Sequence, residues 1–149
     1  MDLRATVDHC ISLAAGDLEA RSIAIANSVG NVPPVFADRK DVVKIALSIL
    51  ANSVDAIGKA GSISVSSRTS QGRSGAGQVG LIFEDTGPGV AAADVGKVFD
   101  AFYTTKRGGS GLGLFSAKKR ARANGGDILC EMGEQGKSRF VVILPVAGA

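Results

Sequence analysis

The chain has 149 residues, 45% of them hydrophobic, and a net charge of +3. That length suits one domain with a substantial core, no apolar run approaches a membrane span, and the charge is too small to argue by itself for nucleic-acid binding. A single histidine excludes an internal multi-histidine metal site, aromatics at 5% without tryptophan argue against a stacking platform for single strands, and the two distant cysteines, Cys10 and Cys130, read as reduced thiols of a cytoplasmic domain.

In chain order, residues 2–15 read as a helix, with apolar positions at Leu3, Val7, Cys10 and Ile11 and a stop at Gly16 and Asp17. Residues 22–29 alternate β-branched and small residues and predict a strand, broken by Gly30-Asn31 and Pro33-Pro34. Asp38 is placed to cap a long helix to about residue 59, where Gly58 and Gly61 help to end it. Residues 62–68 and 78–84 predict a hairpin with a Ser/Gly-rich tip at 69–77. A short helical piece at 91–95, an irregular stretch at 98–109 and a helix at 111–123 follow; Asn124-Gly125-Gly126 ends that helix. Strands at 127–132 and 138–144 close the chain. The mixture predicts an α/β sandwich: one mixed sheet covered by helices on one face.

Three features of this pattern carry chemistry. On the long helix, Asp41, Lys44, Ser48, Asn52, Asp55 and Lys59 fall within an arc of about 80°. The stripe suits a solvated face; it also suits a cleft floor formed by Asn52 and Asp55. Asn52 is a poor mid-helix residue, and its side-chain oxygen is a hard neutral ligand for Mg²⁺. One such oxygen cannot hold the ion alone, so the ion would arrive with nucleotide phosphates.

The second feature is Glu84-Asp85-Thr86-Gly87-Pro88-Gly89, directly after an apolar strand. A carboxylate at Asp85 only accepts hydrogen bonds. Adenine offers its exocyclic amine there, whereas guanine would set one lone pair against another. Gly87 and Gly89 allow a base to approach the backbone, although the same five residues also make a plain tight turn. The third feature is Gly109-Ser110-Gly111-Leu112-Gly113, whose free N–H groups at a helix start suit phosphates. A loop capped by Ser110 is the plainer reading. Thr105, Lys106 and Arg107 stand just upstream, with Phe99 and Phe102 available to anchor a lid-like segment. Lys118, Lys119, Arg120 and Arg122 follow on the last helix as a solvated basic face or, less simply, a docking surface.

Asn52, Asp85-Thr86-Gly87-Pro88-Gly89, Phe99 with Phe102, and Gly111-Leu112-Gly113 occur in an order that resembles the ATP-binding domain of sensor histidine kinases. That domain belongs to the superfamily shared with gyrase, the Hsp90 chaperones and MutL. The run from Phe102 to Leu114 looks like the short-lid subgroup that includes nitrogen-regulatory kinases. The resemblance implies a Bergerat-type fold of about five strands and three helices. It implies ATP with Mg²⁺ as cofactors and Asn52 as the metal ligand. The nucleotide-binding set it implies is Asn52, Asp55, Asp85, Gly87, Gly89, Val90, Thr105, Lys106, Gly109, Ser110, Gly111, Leu112 and Gly113. It further implies phosphoryl transfer to a histidine on a separate dimerisation domain, and a response regulator downstream. Residues 1–16 then read as a helical connection from that domain and 17–149 as the catalytic domain, with no nucleic acid or membrane contact.

Two positions depart from the family pattern. Ser48 stands where relatives often carry Asn, or in gyrase-like ATPases a water-activating Glu, so no efficient hydrolysis is expected from this chain. Lys137-Ser138 replaces a frequent Gly-Thr beside the adenine pocket. His9 is the only histidine, too close to Asn52 in sequence to match the phosphoacceptor. No catalytic side chain is expected here. The alternative from another class is an inactive nucleotide-sensing or partner-docking module of the same fold.

Overall fold

Periodic apolar residues and well-placed caps set the order of elements. The computed structural model describes residues 1–71, 77–101, 113–133 and 137–147. Along the chain these form α1 (Leu3–Ala20), β1 (Ile23–Ser28), α2 (Arg39–Ile57), β2 (Gly61–Gln71), β3 (Gly77–Asp85), a short 3₁₀ turn (Ala92–Asp94), α3 (Gly113–Ala123), β4 (Asp127–Met132) and β5 (Ser138–Pro145). The strands form one sheet in the order β1-β2-β3-β5-β4. β1 and β2 are parallel, joined through α2, and the other neighbours are antiparallel.

Alternation decides which face the helices cover. Ile63 and Val65, Val79, Leu81 and Phe83, Ile128, and Phe140, Val142 and Leu144 point into one core with Leu3, Val42, Ile45, Ile49 and Ala121. The predicted α/β sandwich is therefore observed. On the opposite face Arg68 crosses the sheet to pair with Glu131 through Nη1 and Nη2, at 2.8 and 3.3 Å, and Arg139 joins them. Gly80 makes room for that crossing, since a Cβ there would stand 3.3 Å from the Arg68 stem.

The first helix is longer than its sequence predicts. α1 runs through Gly16 to Ala20, and Arg21 donates its N–H to the Asp17 carbonyl. A mid-helix glycine costs about 1 kcal/mol, whereas burying Leu18 returns roughly 2 kcal/mol. The boundary expected between residues 16 and 17 falls inside this continuous helix, and Leu3, Val7 and Cys10 ahead of it are core residues. α2 agrees with its predicted caps: the Asp38 side chain accepts from the N–H groups of Lys40 and Asp41, and Gly58 ends the helix at φ 74°.

Candidate functional site

The site begins where β3 ends. Asp85 turns its carboxylate back to accept from the Gly87 N–H at 2.8 Å, an Asx turn. The other carboxylate oxygen has no partner among the described residues. Thr86 then ties the turn to β2: its N–H donates to the Ser62 carbonyl at 3.1 Å, and its hydroxyl accepts from the Ser62 N–H at 3.0 Å.

Both turn glycines are required by their surroundings. Gly87 is buried against the last turn of α2, where a Cβ would stand 3.1 Å from Ala56 and 2.9 Å from Asp85 Oδ1. Gly89 has φ 75°, and a Cβ there would meet Ser138 Oγ at 3.0 Å. Val90 donates its N–H to that hydroxyl at 2.6 Å. The turn is thus wedged between α2 and the start of β5. Ser138, outside the nucleotide-binding set expected above, proves to be the residue that holds its far end. Its place at the opening of a strand beside the adenine pocket is in line with the resemblance, but its bond to the Val90 N–H is a tertiary fact that no local spacing encodes.

Asn52 precedes Ala56 by one helical turn and so shares the face on which the glycine turn packs. Asn52 is half-buried, and Asp55 is exposed. The same face meets α3 at its other end. Asp41 accepts from Arg120 Nη1 at 3.1 Å and from Asn124 Nδ2 at 3.0 Å. These two bonds, Asn124 first and Arg120 second, hold the Asp41 carboxyl below its ordinary pKa. The polar stripe on α2 is therefore split in use. Its first member clamps a neighbouring helix, and Asn52 remains beside the turn.

α3 carries Gly113 as its first residue, with open space around the missing Cβ. Its basic cluster is mostly paired. Lys118 donates to the Ile128 carbonyl, pairs with Asp127 at 3.2 Å and lies 4.5 Å over the Phe99 ring. Arg122 also reaches Asp127, at 3.3 Å. Phe99 anchors its segment as expected, edge-on to Phe140 with centroids 6.0 Å apart. Thr105, Lys106, Gly109, Ser110, Gly111, Leu112 and Phe102 lie outside the described residues. Two clefts formed by described residues lie elsewhere. One of about 610 Å³ is lined by Phe36, Asn124 and Pro145, and one of about 300 Å³ by Phe99, Phe115 and Lys118. Neither touches Asn52 or Asp85.

Among the described residues no three acidic, histidine or cysteine side chains converge as a metal cage. The donor chemistry at Asn52, one neutral oxygen, fits an ion that brings phosphate and water ligands with it.

Comparison with known proteins agrees with this geometry. The family described as histidine kinase-, DNA gyrase B-, and HSP90-like ATPase matches residues 37–148. The sensor histidine kinase ZraS of Escherichia coli K12 is 32% identical over 98% of this chain and 30% of its own length. The sensory histidine kinase/phosphatase NtrB of Rhizobium meliloti is 33% identical over 99% of this chain and 41% of its own. The nucleotide-free catalytic domain of the histidine kinase ThkA shares the fold, with a TM-score of 0.82 at 24% identity, over 97% of this chain and 93% of that one. The chain belongs to this ATPase family, as a catalytic ATP-binding domain of the sensor-histidine-kinase kind. It spans about a third of the length of the curated relatives it matches.

Proposed function

We propose that this chain holds Mg-ATP for transfer of the terminal phosphoryl group to a histidine on another domain of a longer protein. The observation that carries the reading is Asp85. One of its oxygens is spent on the Gly87 N–H, which fixes the carboxylate's orientation, and the other is left to accept from the adenine amine. Gly87 and Gly89 lie beneath the base, and Val90 borders it. Asn52 supplies one oxygen to a Mg²⁺ that the phosphates bring, with Asp55 one turn on. When bound, the ion neutralises phosphate charge. Lys106 and the N–H groups of Ser110, Gly111, Leu112 and Gly113 contact the phosphates, with Thr105 and Gly109 flanking them.

The chain positions and neutralises, and the nucleophile comes from elsewhere. Its partners are a dimerisation domain bearing the acceptor histidine, reached through residues 1–16, and a response regulator beyond it. The domain works in the cytoplasm. No described helix is long and apolar enough to cross a membrane.

Calorimetry tests the adenine assignment. Asp85→Asn should weaken ATP binding by about tenfold or more, because its amide sets a donor against the adenine amine. Equal affinity for ATP in parent and variant would sink it. Mixing the chain with a separately expressed dimerisation domain and labelled ATP tests the transfer: label on that domain's histidine is expected, and binding without transfer overturns the kinase reading.

A further inference from the structure

The contact between α2 and α3 is made in two different chemistries. Ala117 and Ala121, both fully buried, let the helices approach closely. Alanines offer few interlocking atoms, so on the α2 side they leave the sliding and tilt of α3 weakly specified, while Lys118 holds the middle of the helix to β4. A polar contact sets register where small apolar faces do not. Here that contact lies entirely at one end of α3.

Asn124 is used at every polar atom. Its Oδ1 accepts from the Asp38 N–H at 2.8 Å, and its Nδ2 donates to Asp41 Oδ2 at 3.0 Å and to the Arg120 carbonyl at 2.9 Å. Arg120 fills the other oxygen of Asp41. Directly beyond, Gly125 at φ 78° donates to the Arg122 carbonyl and Gly126 donates to the Ala121 carbonyl, closing the helix end as a Schellman motif. The last turn of α3 is therefore fastened to the first turn of α2.

The spacings on the two helices match. Asp41 and Asn52 stand eleven residues apart, within about 20° on one face of α2. Asn124 and Gly113 are also eleven apart on the chain, roughly 16 Å along a helix. α3 contacts α2 and is fastened to it at Asp41; an antiparallel run from that point would bring Gly113 toward the level of Asn52. A few degrees of tilt about the fastened end moves Gly113 by on the order of 1 Å, enough to cost up to about 100-fold where geometry is critical.

We propose that Asp41, Arg120 and Asn124 form a latch that aims the start of α3 at the nucleotide phosphates, with Asp41 as a positioning residue for that end of the site. The latch rests on the nucleotide reading above and adds a division of labour to it: the β3 turn selects the base, and the latch serves only the phosphates.

The test compares ADP with adenosine, by calorimetry and NMR titration on the full chain. Asp41→Ala should weaken ADP binding about fivefold while adenosine stays within about twofold. Asn124→Ala should do the same while keeping the carboxylate in the first turn of α2, which separates the latch from a helix-dipole effect. Asp41→Glu should recover most of the ADP affinity. Should Asp41→Ala melt below the assay temperature, Arg120→Gln removes one arm of the latch and carries the same expectation. Unchanged ADP affinity, or equal loss for ADP and adenosine, overturns the latch and leaves the nucleotide reading intact. An unmodified chain that binds neither ligand overturns both.

Discussion

The two ends of the proposed nucleotide site are supported in opposite ways. At the base end every tie is close at hand: Gly87 to Asp85, Thr86 to Ser62, Val90 to Ser138. At the α3 end the described polar ties run from the middle of the helix, where Lys118 reaches the Ile128 carbonyl and Asp127, to its far end, in Asp41, Asn124 and the Gly125-Gly126 turn. A turn braced on each side keeps its shape without ligand. A helix held from its middle to its far end leaves its first turns as a short lever. Small errors at its root grow along its length, and its tip adjusts readily to what binds there. An adenine reader needs the first property, and a grip on phosphates of changing number benefits from the second.

The largest expected effect attacks the root of the lever. A Cβ on Gly126 would run into the Ile143 carbonyl oxygen of β5, which is fixed in the sheet. Gly126→Ala should cost about 3 kcal/mol in urea unfolding, the upper range for overpacking a rigid site. An unchanged unfolding midpoint would mean that the end of α3 shifts freely and is no anchor. The base end should yield less. Gly89→Ala meets both a left-handed φ and Ser138 Oγ at 3.0 Å, and about 1–2 kcal/mol is expected. The Ser138 hydroxyl rotates aside, whereas a sheet carbonyl does not, and that is why Gly126 ranks first. Reversal of the order would refute the contrast.

These two ends also differ in how far the sequence reveals them. The base end is written in consecutive residues. Asp85 through Gly89 is a turn signal with a carboxylate at its head, and Asn52 lies on a face predictable from helical periodicity. The covered face follows from alternation for the same reason, since period-two patterns are local, whereas the strand order is a tertiary fact that alternation does not carry. α1 was misjudged because Gly16 is a local stop signal overridden by a tertiary gain, the burial of Leu18. The latch was illegible because its halves lie eighty residues apart. Asp41 reads as one more solvated residue of a stripe, and Arg120 as one of four cations on a basic face. The one available hint was Asn124, four residues after Arg120 and thus on its face, just before two glycines.

A smaller perturbation sharpens the base end. Ser138→Ala removes the acceptor of the Val90 N–H and should cost about 1 kcal/mol, the usual penalty for one lost partner. The same variant frees the far end of the glycine turn, so ATP affinity should drop along with stability while the ratio of ADP to adenosine affinity stays unchanged. A changed ratio would show that the two ends are not independent.

Acid offers the mildest way to pull the ends apart. Asp41 and Asp127, both tied to α3, hold pKa values below the ordinary 3.8. For Asp127, burial opposes the shift and is outweighed by the Ile128 N–H and by Lys118 and Arg122. Glu131, on the open face, lies below 4.5 through Arg68 and Arg139. Near and below these values the unfolded chain binds more protons than the folded one, so stability rises with pH there and is fully present above the ordinary carboxylate range. Each partly exposed pair at Asp127 and Glu131 contributes about 1 kcal/mol or less, which keeps the effect small. The Thr86–Ser62 and Val90–Ser138 bonds contain no titrating group, and the one carboxylate of the base-end turn, Asp85, is removed by Asp85→Asn, whose amide oxygen can still accept from the Gly87 N–H. In the Asp85→Asn chain, lowering the pH through the range below 4 should therefore shift the amide resonances of α3 before those of Thr86 and Val90. If Thr86 and Val90 move first, or all move together, the α3 end is not the separately fastened element described here.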